Sequence, residues 1–491
     1  METATRRAHY QLTFAVLTVG VAAYALLQSL VIPVLPTLES ALGTTQADVT
    51  WVLTAYLLSA SISTPVMGRL GDMHGKKRVF VIALTALAVG SLLAALATSL
   101  PVMIAARVIQ GIGGGVLPLA FGIIRDEFPE EKVAGAVGII AALTAVGAGL
   151  GIVLAGPIVT VLSYHWLFWI PLIMVVLAGV AAQILVPESP VRTAGKINWL
   201  TALLLSGWLV ALLLGVSQAP TRGWGSPIVV GLLAAAAVIV VTWVAAESKS
   251  VNPLIDMTMM RIRSVWAANL VALLMGVGMY AAFGFLPQLL QTPTSAGYGF
   301  GASVTESGLM LLPLSVGMFL LGLASGRLAT RLGSRNLLIA GSIVSAIGYL
   351  VVAFLHETEV DIYVATSLVG VGFGLAFSAM SNVVVAAVPA EQTGVASGMN
   401  ANIRTIGGAL GAALMTTVVT AGASSSGVPP ESGYTNGFVM LGIAVSLGVV
   451  AAMFIPAMKR DKTTHLEESA ALRHPELAMV AGGTLVGDES E

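Results

Sequence analysis

The sequence predicts an all-α integral membrane protein of fourteen transmembrane helices: two pseudo-repeated six-helix bundles with two further helices inserted between them. Three observations carry that prediction. The 491 residues are 57% hydrophobic and only 10% charged, with a mean hydropathy of +0.93, where soluble chains carry about 25% charged residues. The apolar residues fall in runs of about 20 without polar alternation, the length of a helix across a bilayer and not the pattern of a barrel strand. A basic hairpin also recurs. Residues 68–78 read Gly-Arg-Leu-Gly-Asp-Met-His-Gly-Lys-Lys-Arg, and residues 326–335 read Gly-Arg-Leu-Ala-Thr-Arg-Leu-Gly-Ser-Arg, so that Gly68, Leu70 and Gly75 reappear as Gly326, Leu328 and Gly333. A repeat at that distance marks a chain built of two related halves.

In order, the expected spans are 12–36, 49–67, 79–98, 102–124, 134–158, 166–186, 198–217, 226–246, 264–288, 304–325, 336–355, 362–385, 394–420 and 435–456. The first follows Arg6 and Arg7, as in a signal peptide, but it is too long and contains Pro33 and Pro36, so it reads as an uncleaved span. With the N-terminus inside and strict alternation, all but three of the 23 Lys and Arg fall on the cytoplasmic side. Arg222 is external, and Arg107 and Arg404 lie within spans. Positive charge is retained in the cytoplasm, so one span more or fewer would spoil this segregation. Both termini are therefore expected in the cytoplasm, with the chain in a cytoplasmic membrane.

The hairpin is expected to turn on Gly68, Gly71 and Gly75, which tolerate backbone angles that other residues resist. Arg69, Lys76, Lys77 and Arg78 make it cytoplasmic. The repeat continues beyond it. Gly111, Gly113 and Gly115 match Gly370, Gly372 and Gly374, and Gly147 and Gly151 match Gly407 and Gly411. Spans seven and eight have no counterpart. The expected division is 1–190 (first bundle), 191–263 (inserted helices and linkers), 264–457 (second bundle) and 458–491, a polar tail of mixed charge expected to be disordered.

With these motifs assembled, the chain resembles the major facilitator superfamily, and within it the fourteen-helix branch known for drug:proton antiport. Gly68, Leu70, Asp72, Gly75, Lys76 and Lys77 fit the family's loop motif, with Met73 where a basic residue usually stands. Arg107, Gln110, Gly111 and Gly113 fit the helix-four motif of exporters. Gly147, Gly151 and Gly156 resemble the antiporter motif of helix five, with Ile152 in place of its usual Pro. Residues 24–36 lack the acidic residue that this branch often carries in helix one.

The candidate functional residues follow. A carboxylate such as Asp72 among cations can accept backbone donors at a helix N-terminus. The resemblance implies that this partner is the start of span thirteen near Thr393, as a latch for the outward-facing state, and that Asp126 joins Arg78 and Asp72 in a charge cluster. Arg107 is a charge inside a span, costing at least ~2.5 kcal/mol at the helix centre unless it faces a cavity or finds partners. The resemblance ties it to proton exchange or substrate binding, while the plainer alternative is a cation bonded to neighbouring carbonyls. Gln110 shares its helix face. Asn400 and Arg404, four residues apart, share a face that serves either a central cavity or polar contact between helices, and Asn402 does not share it. Gly147 and Gly151, like Gly407 and Gly411, form small-residue stripes for close helix approach, and the resemblance puts helix five at the interface of the two halves. Glu306 and Asp48, near the outer surface, are the candidate coupling carboxylates, with solvated loop charge as the alternative.

Other chemistry is excluded or unsupported. The chain has no cysteine, hence no disulfide or thiolate site. It has no phosphate-binding loop for a nucleotide motor, and its six histidines show no metal spacing. No catalytic residue, cofactor or nucleic-acid contact is expected. The expected partners are a small-molecule substrate, protons and the lipid bilayer, with the chain a monomer. Tyr24, Tyr56, Phe121, Tyr280, Phe283 and Phe285 are candidate aromatic cavity walls. The reading is a secondary transporter exporting hydrophobic or amphipathic molecules by alternating access. The alternatives are a carrier of one metabolite or lipid without proton coupling, and a non-transporting sensor or scaffold.

Overall fold

The computed structural model describes residues 2–189, 198–389, 392–421 and 429–456, apart from residues 45, 50, 251, 252 and 254. The tail 458–491, and the linker residues Arg192 and Lys196, lie outside the described residues. Long helices dominate the rest: α1 (Glu2–Ser29), α2 (Trp51–His74), α3 (Lys76–Ala95), α4 (Leu100–Glu127), α5 (Glu130–Val161), α6 (Trp166–Leu185), α7 (Trp199–Arg222), α8 (Pro227–Ser248), α9 (Arg263–Gln291), α10 (Val304–Met310 and Leu312–Leu332), α11 (Ser334–Phe354), α12 (Glu359–Ala387), α13 (Thr393–Thr420) and α14 (Glu431–Met453). Thirteen are long and apolar enough to cross a membrane; α5, 32 residues long, supplies the fourteenth, its apolar stretch among the described residues being Gly149–Val161.

Local chemistry explains where helices start and stop. Pro33 and Pro36 lack the N–H donors a continuing helix needs, so α1 ends at Ser29 and gives way to a 3₁₀ turn, Ile32–Val34, and a short helix, Leu35–Leu42. The Asn198 side chain caps α7 by accepting from the N–H groups of Leu200 and Thr201. Ser303 with Glu306, and Thr358 with Asp361, form reciprocal capping boxes at the starts of α10 and α12.

The repeated hairpin turns on one residue in each copy. Gly75 has φ 105° and Gly333 has φ 80°, a region that costs a side chain energy and glycine little. Gly68 and Gly71, expected in the turn, instead lie inside α2, which runs on to His74. Their use is close approach. A Cβ on Gly71 would strike the Leu119 side chain, and one on Gly68 would lie 3.4 Å from the Gly394 carbonyl oxygen.

Two large apolar cores follow the sequence order. One is built from residues 16–186 with Val385. The other is built from residues 202–455 with Ile152. Within them the repeated glycines make repeated contacts. Gly111 and Gly115 bring α4 against Ser59 and Met67 of α2, and Gly113 brings it against Leu87 of α3. Gly370 and Gly374 bring α12 against Leu314 and Met318 of α10, and Gly372 brings it against Ser345 of α11.

The bundles meet along two seams: α5 packs on α10 and α12, and α13 packs on α2 and α4. Inserted α7 packs on both α13 and α2, flanking the second seam, and pairs with α8. α8 is the most outward-facing of the long helices, with Val230, Val238 and Val241 exposed.

The Gly147/Gly151 stripe corrects the expectation. It seats α5 on α1 of its own bundle, against Ala25 and Ser29, just as Gly407 and Gly411 seat α13 on α9 against Leu273 and Val277. The α5 residues that meet the other bundle lie on the opposite face, where Gly149 approaches Ser315 and Gly156 approaches Thr305. Residues 147 and 149 point about 200° apart around a helix, so a stripe on one face cannot serve both neighbours.

Candidate functional site

Two features gather most of the candidate residues. The first is a polar cluster where the hairpin meets α13. Asp72 and Lys76 are each 2% exposed. Lys76 Nζ lies 2.7 Å from Asp126 and 4.0 Å from Asp72. The Asp72 carboxylate sits 3.6 Å from where a Gly394 Cβ would be, in the first turn of α13. A side chain there would crowd the carboxylate. Ser189 donates to Asp126. Glu188 accepts from the Lys77 N–H at 3.2 Å, at the start of α3, and lies so close to Gly75 that a Cβ there would be 2.5 Å from it. Arg78 is exposed, and Lys76 occupies the position expected of it in the cluster. Lys76 opens α3 facing inward, and two residues later the helix has turned Arg78 away.

Arg125, read from the sequence only as topological charge, spans the two bundles here. Its guanidinium donates to the carbonyls of Val385 (3.0 Å) and Val388 (3.1 Å) and to the Thr393 hydroxyl. No periodicity or repeat flags this residue. On the same side, Gln392 donates to Asp256 at 3.2 Å. Burial would raise the Asp256 carboxyl, but donors from Thr258, Gln392 and Met259 hold it below the ordinary value.

The second feature is a cavity halfway along the helices, between the bundles. α1, α2, α4 and α5 contribute Tyr24, Gln28, Leu57, Thr64, Leu117 and Thr144; α9 and α13 contribute Tyr280, Asn402, Arg404 and Thr405. A neighbouring cleft adds Phe121, Ser381, Ser397 and Asn400 and shares Leu117, Thr144, Ala401 and Arg404. The space open to the centre of a water-sized sphere is about 20 Å³, room for about one water and none for a drug-sized ligand. Gln28 donates to the Tyr280 hydroxyl at 2.6 Å across the two bundles, and Gly408 leaves room for the Tyr280 ring. Of the other expected aromatic walls, Tyr56 and Phe283 are buried and do not line the cavity, and Phe285 packs against the second core.

Arg404 and Asn400 do reach this region, and so does Asn402, which helical spacing had set apart. Asn400 donates to Asn269 at 2.9 Å. Asn402 is 2% exposed, and neither atom of its amide has a hydrogen-bonding partner among the described residues. The Arg404 guanidinium lies 5.0 Å from the Phe377 ring, with its Nε enclosed and unbonded.

Arg107 is fully buried outside the cavity. It donates to the carbonyls of Val52 (3.0 Å) and Leu27 (3.1 Å) and to Gln110 (2.8 Å), and it stacks 4.3 Å from the Tyr56 ring centre. Gln110 in turn donates to Ser91. The arrangement ties α1, α2, α3 and α4 together, the geometry of the plainer alternative. The expected coupling carboxylates are also elsewhere: Glu306 is engaged in its capping box, and Asp48 is exposed in a four-residue helix. Neither lines the cavity.

The family model of the Major Facilitator Superfamily matches residues 17–412. The Multidrug transporter protein MdtP of Bacillus subtilis is 30% identical over 382 residues, covering 76% of this chain and 68% of that protein. The Multidrug resistance protein B homolog of Mycobacterium tuberculosis is 28% identical, covering 80% and 75%. The Tetracenomycin C resistance and export protein of Streptomyces glaucescens is 29% identical, covering 82% and 74%. Among solved structures, the human organic anion transporter MFSD10 superposes with a TM-score of 0.65 at 16% identity, over 90% of this chain and 99% of that one. The proton:xylose symporter XylE gives 0.64 at 15%, over 92% and 97%; at such identities both show the fold alone. With a family match over most of its length and relatives of this kind, the chain belongs to the major facilitator superfamily.

Proposed function

We propose that this protein exports hydrophobic or amphipathic small molecules across the cytoplasmic membrane by alternating access, driven by proton entry, with both termini in the cytoplasm and the monomer as the working unit. One observation carries the reading: on either side of the mid-bundle cavity the close contacts run between the bundles. At the basic end these are Gly68 and Asp72 against Gly394, and Arg125 against Thr393, Val385 and Val388. At the other end they are Gly149 against Ser315 and Gly156 against Thr305. Rocking the bundles as rigid bodies breaks one set while keeping the other, and opens the cavity to one side at a time. In this reading 1–190 and 264–457 are the moving halves, 191–263 flanks their seam, and Asp72 with Arg125 latches the outward-facing state. The names of the relatives, multidrug and tetracenomycin exporters among them, support the export direction.

A second reading, uniport or symport without protons, is favoured by one observation: no carboxylate is among the described residues that line the cavity. Accumulation of the neutral dye Nile red and the cation ethidium in energised cells, with and without a protonophore, tests the proposal. Lower accumulation of either dye, restored by the protonophore, is the expected result. Unchanged accumulation of both dyes with the protein present in the membrane overturns broad, energy-driven export.

A further inference from the structure

Among the described residues, the charged side chains at 2% exposure or less, Asp72, Lys76, Arg107 and Glu247, each have a hydrogen-bonding or ionic partner, Glu247 accepting from the Ile255 N–H. Lys76 faces Asp126 and Asp72. Arg107 donates from Nε and Nη1 to two carbonyls and Gln110, leaving Nη2 unbonded, and Arg125 bonds across the bundles. Arg404, half-buried with its Nε enclosed, lines the cavity and makes no hydrogen bond or ion pair among the described residues, its guanidinium lying 5.0 Å from the Phe377 ring. Beside it in the same wall stands Asn402, nine-tenths buried, with both amide atoms unpartnered. No Asp or Glu is among the described lining residues of the cavity or its neighbouring cleft. An enclosed guanidinium N–H and a fully buried amide are both costly unless something accepts their hydrogens.

We propose that Arg404 and Asn402 form the headgroup subsite for an amphipathic organic acid, a carboxylate or sulfonate on an apolar body. An oxyanion supplies the several lone pairs that a planar guanidinium fork and an amide N–H₂ require together. Leu57, Leu117, Phe121 and Tyr24 offer apolar surface for the body. The same positive charge discriminates against organic cations, by like-charge repulsion with no carboxylate to offset it. The inference deepens the export reading and rests on it for the direction of transport only, because binding needs no gradient.

The test uses the purified full-length protein in a neutral detergent at neutral pH and constant ionic strength. Thermal unfolding and titration calorimetry are run with 2-naphthoate, with 2-naphthylmethylammonium and with sodium chloride. The expected result is that naphthoate binds and raises Tm while the ammonium analogue does neither. Arg404→Gln weakens naphthoate binding by about tenfold or more, the scale of one charge-assisted hydrogen-bond pair. Arg404→Lys keeps part of it. Should Arg404→Gln fail to fold, Asn402→Leu is expected to weaken naphthoate on its own. Absent naphthoate binding, equal binding of the ammonium analogue, or wild-type naphthoate affinity in folded Arg404→Gln overturns the proposal. So does an equal shift from chloride, which would make the site one for a bare anion. None of these outcomes bears on the energised-cell experiment, so failure here and failure of the export reading are distinguishable.

Discussion

At the scale of single residues, two arginines inside spans have opposite fates. Arg107 is held by the carbonyls of Leu27 and Val52 and by Gln110. Truncating it leaves those acceptors unpaired in a dry interior. Arg107→Gln is expected to cost on the order of 2–3 kcal/mol of stability, read as a lower Tm in detergent, with ligand selectivity unchanged in the protein that remains folded. A normal Tm combined with lost transport would instead make Arg107 a transport residue. Asp72 invites the converse experiment. Asp72→Asn keeps the shape beside Gly394 but removes the charge, and on the proposed latch it slows transport without impairing membrane insertion. Initial uptake rates in everted vesicles decide this, and a wild-type rate removes the latch. Both residues stand out in the sequence as charges in or beside apolar runs. Their partners do not, because a backbone carbonyl on a helix 55 or 80 residues away leaves no mark in local composition.

At the scale of elements, close packing rests on glycines whose spacing was legible and whose neighbours were not. A Cβ on Gly407 or Gly411 would run into backbone carbonyls of α9, whereas one on Gly135 meets nothing within 4 Å. Gly407→Ala and Gly411→Ala are therefore expected to lower Tm by several degrees. Gly135→Ala is expected to be neutral or slightly stabilising, since it removes about 0.5–1 kcal/mol of glycine's helix penalty. Equal effects at all three positions would contradict the packing argument. The linker ahead of α9 is held in a softer way. Asp256 accepts from Thr258 and from Gln392 at the head of α13, and Asp256→Ala is expected to cost about 0.5 kcal/mol, the low end for an exposed cap. Because the folded-state carboxyl titrates below its unfolded value of about 3.9, this contribution is present above about pH 4 and lost as pH falls through the folded value. The Tm gap between wild type and variant should close on acidification.

At the scale of the whole molecule, a cavity with room for about one water, flanked by contacts between the bundles, admits a substrate on the rocking proposal by parting the bundles. The chain contains no cysteine, so engineered pairs report cleanly. Gly156→Cys with Thr305→Cys bridges one end, and Gly68→Cys with Gly394→Cys bridges the other. On the rocking proposal either disulfide alone stops transport and reduction restores it. Undiminished transport through a fully formed crosslink at either end would rule out rigid-body rocking.

The sequence by itself determined the class of molecule and its chain-level organisation. Hydropathy fixes which segments are long and apolar enough to cross a bilayer, because a spanning segment must satisfy its backbone internally. The repeated Gly-Arg-Leu hairpin and paired glycines mark two related halves, because the same helix contacts need the same small residues twice. Only the tertiary structure decided which face of each helix does what. It turned Gly147 and Gly151 toward α1 and left Gly149 and Gly156 for the other bundle. It put Lys76 rather than Arg78 among the carboxylates, engaged Glu306 in a cap, made Arg125 a bridge, and set Asn402 beside Arg404 in the cavity wall. Each of these outcomes depends on a partner distant in sequence. A helix presents residues on every side, and which side is buried, and against what, is settled only when the helices pack.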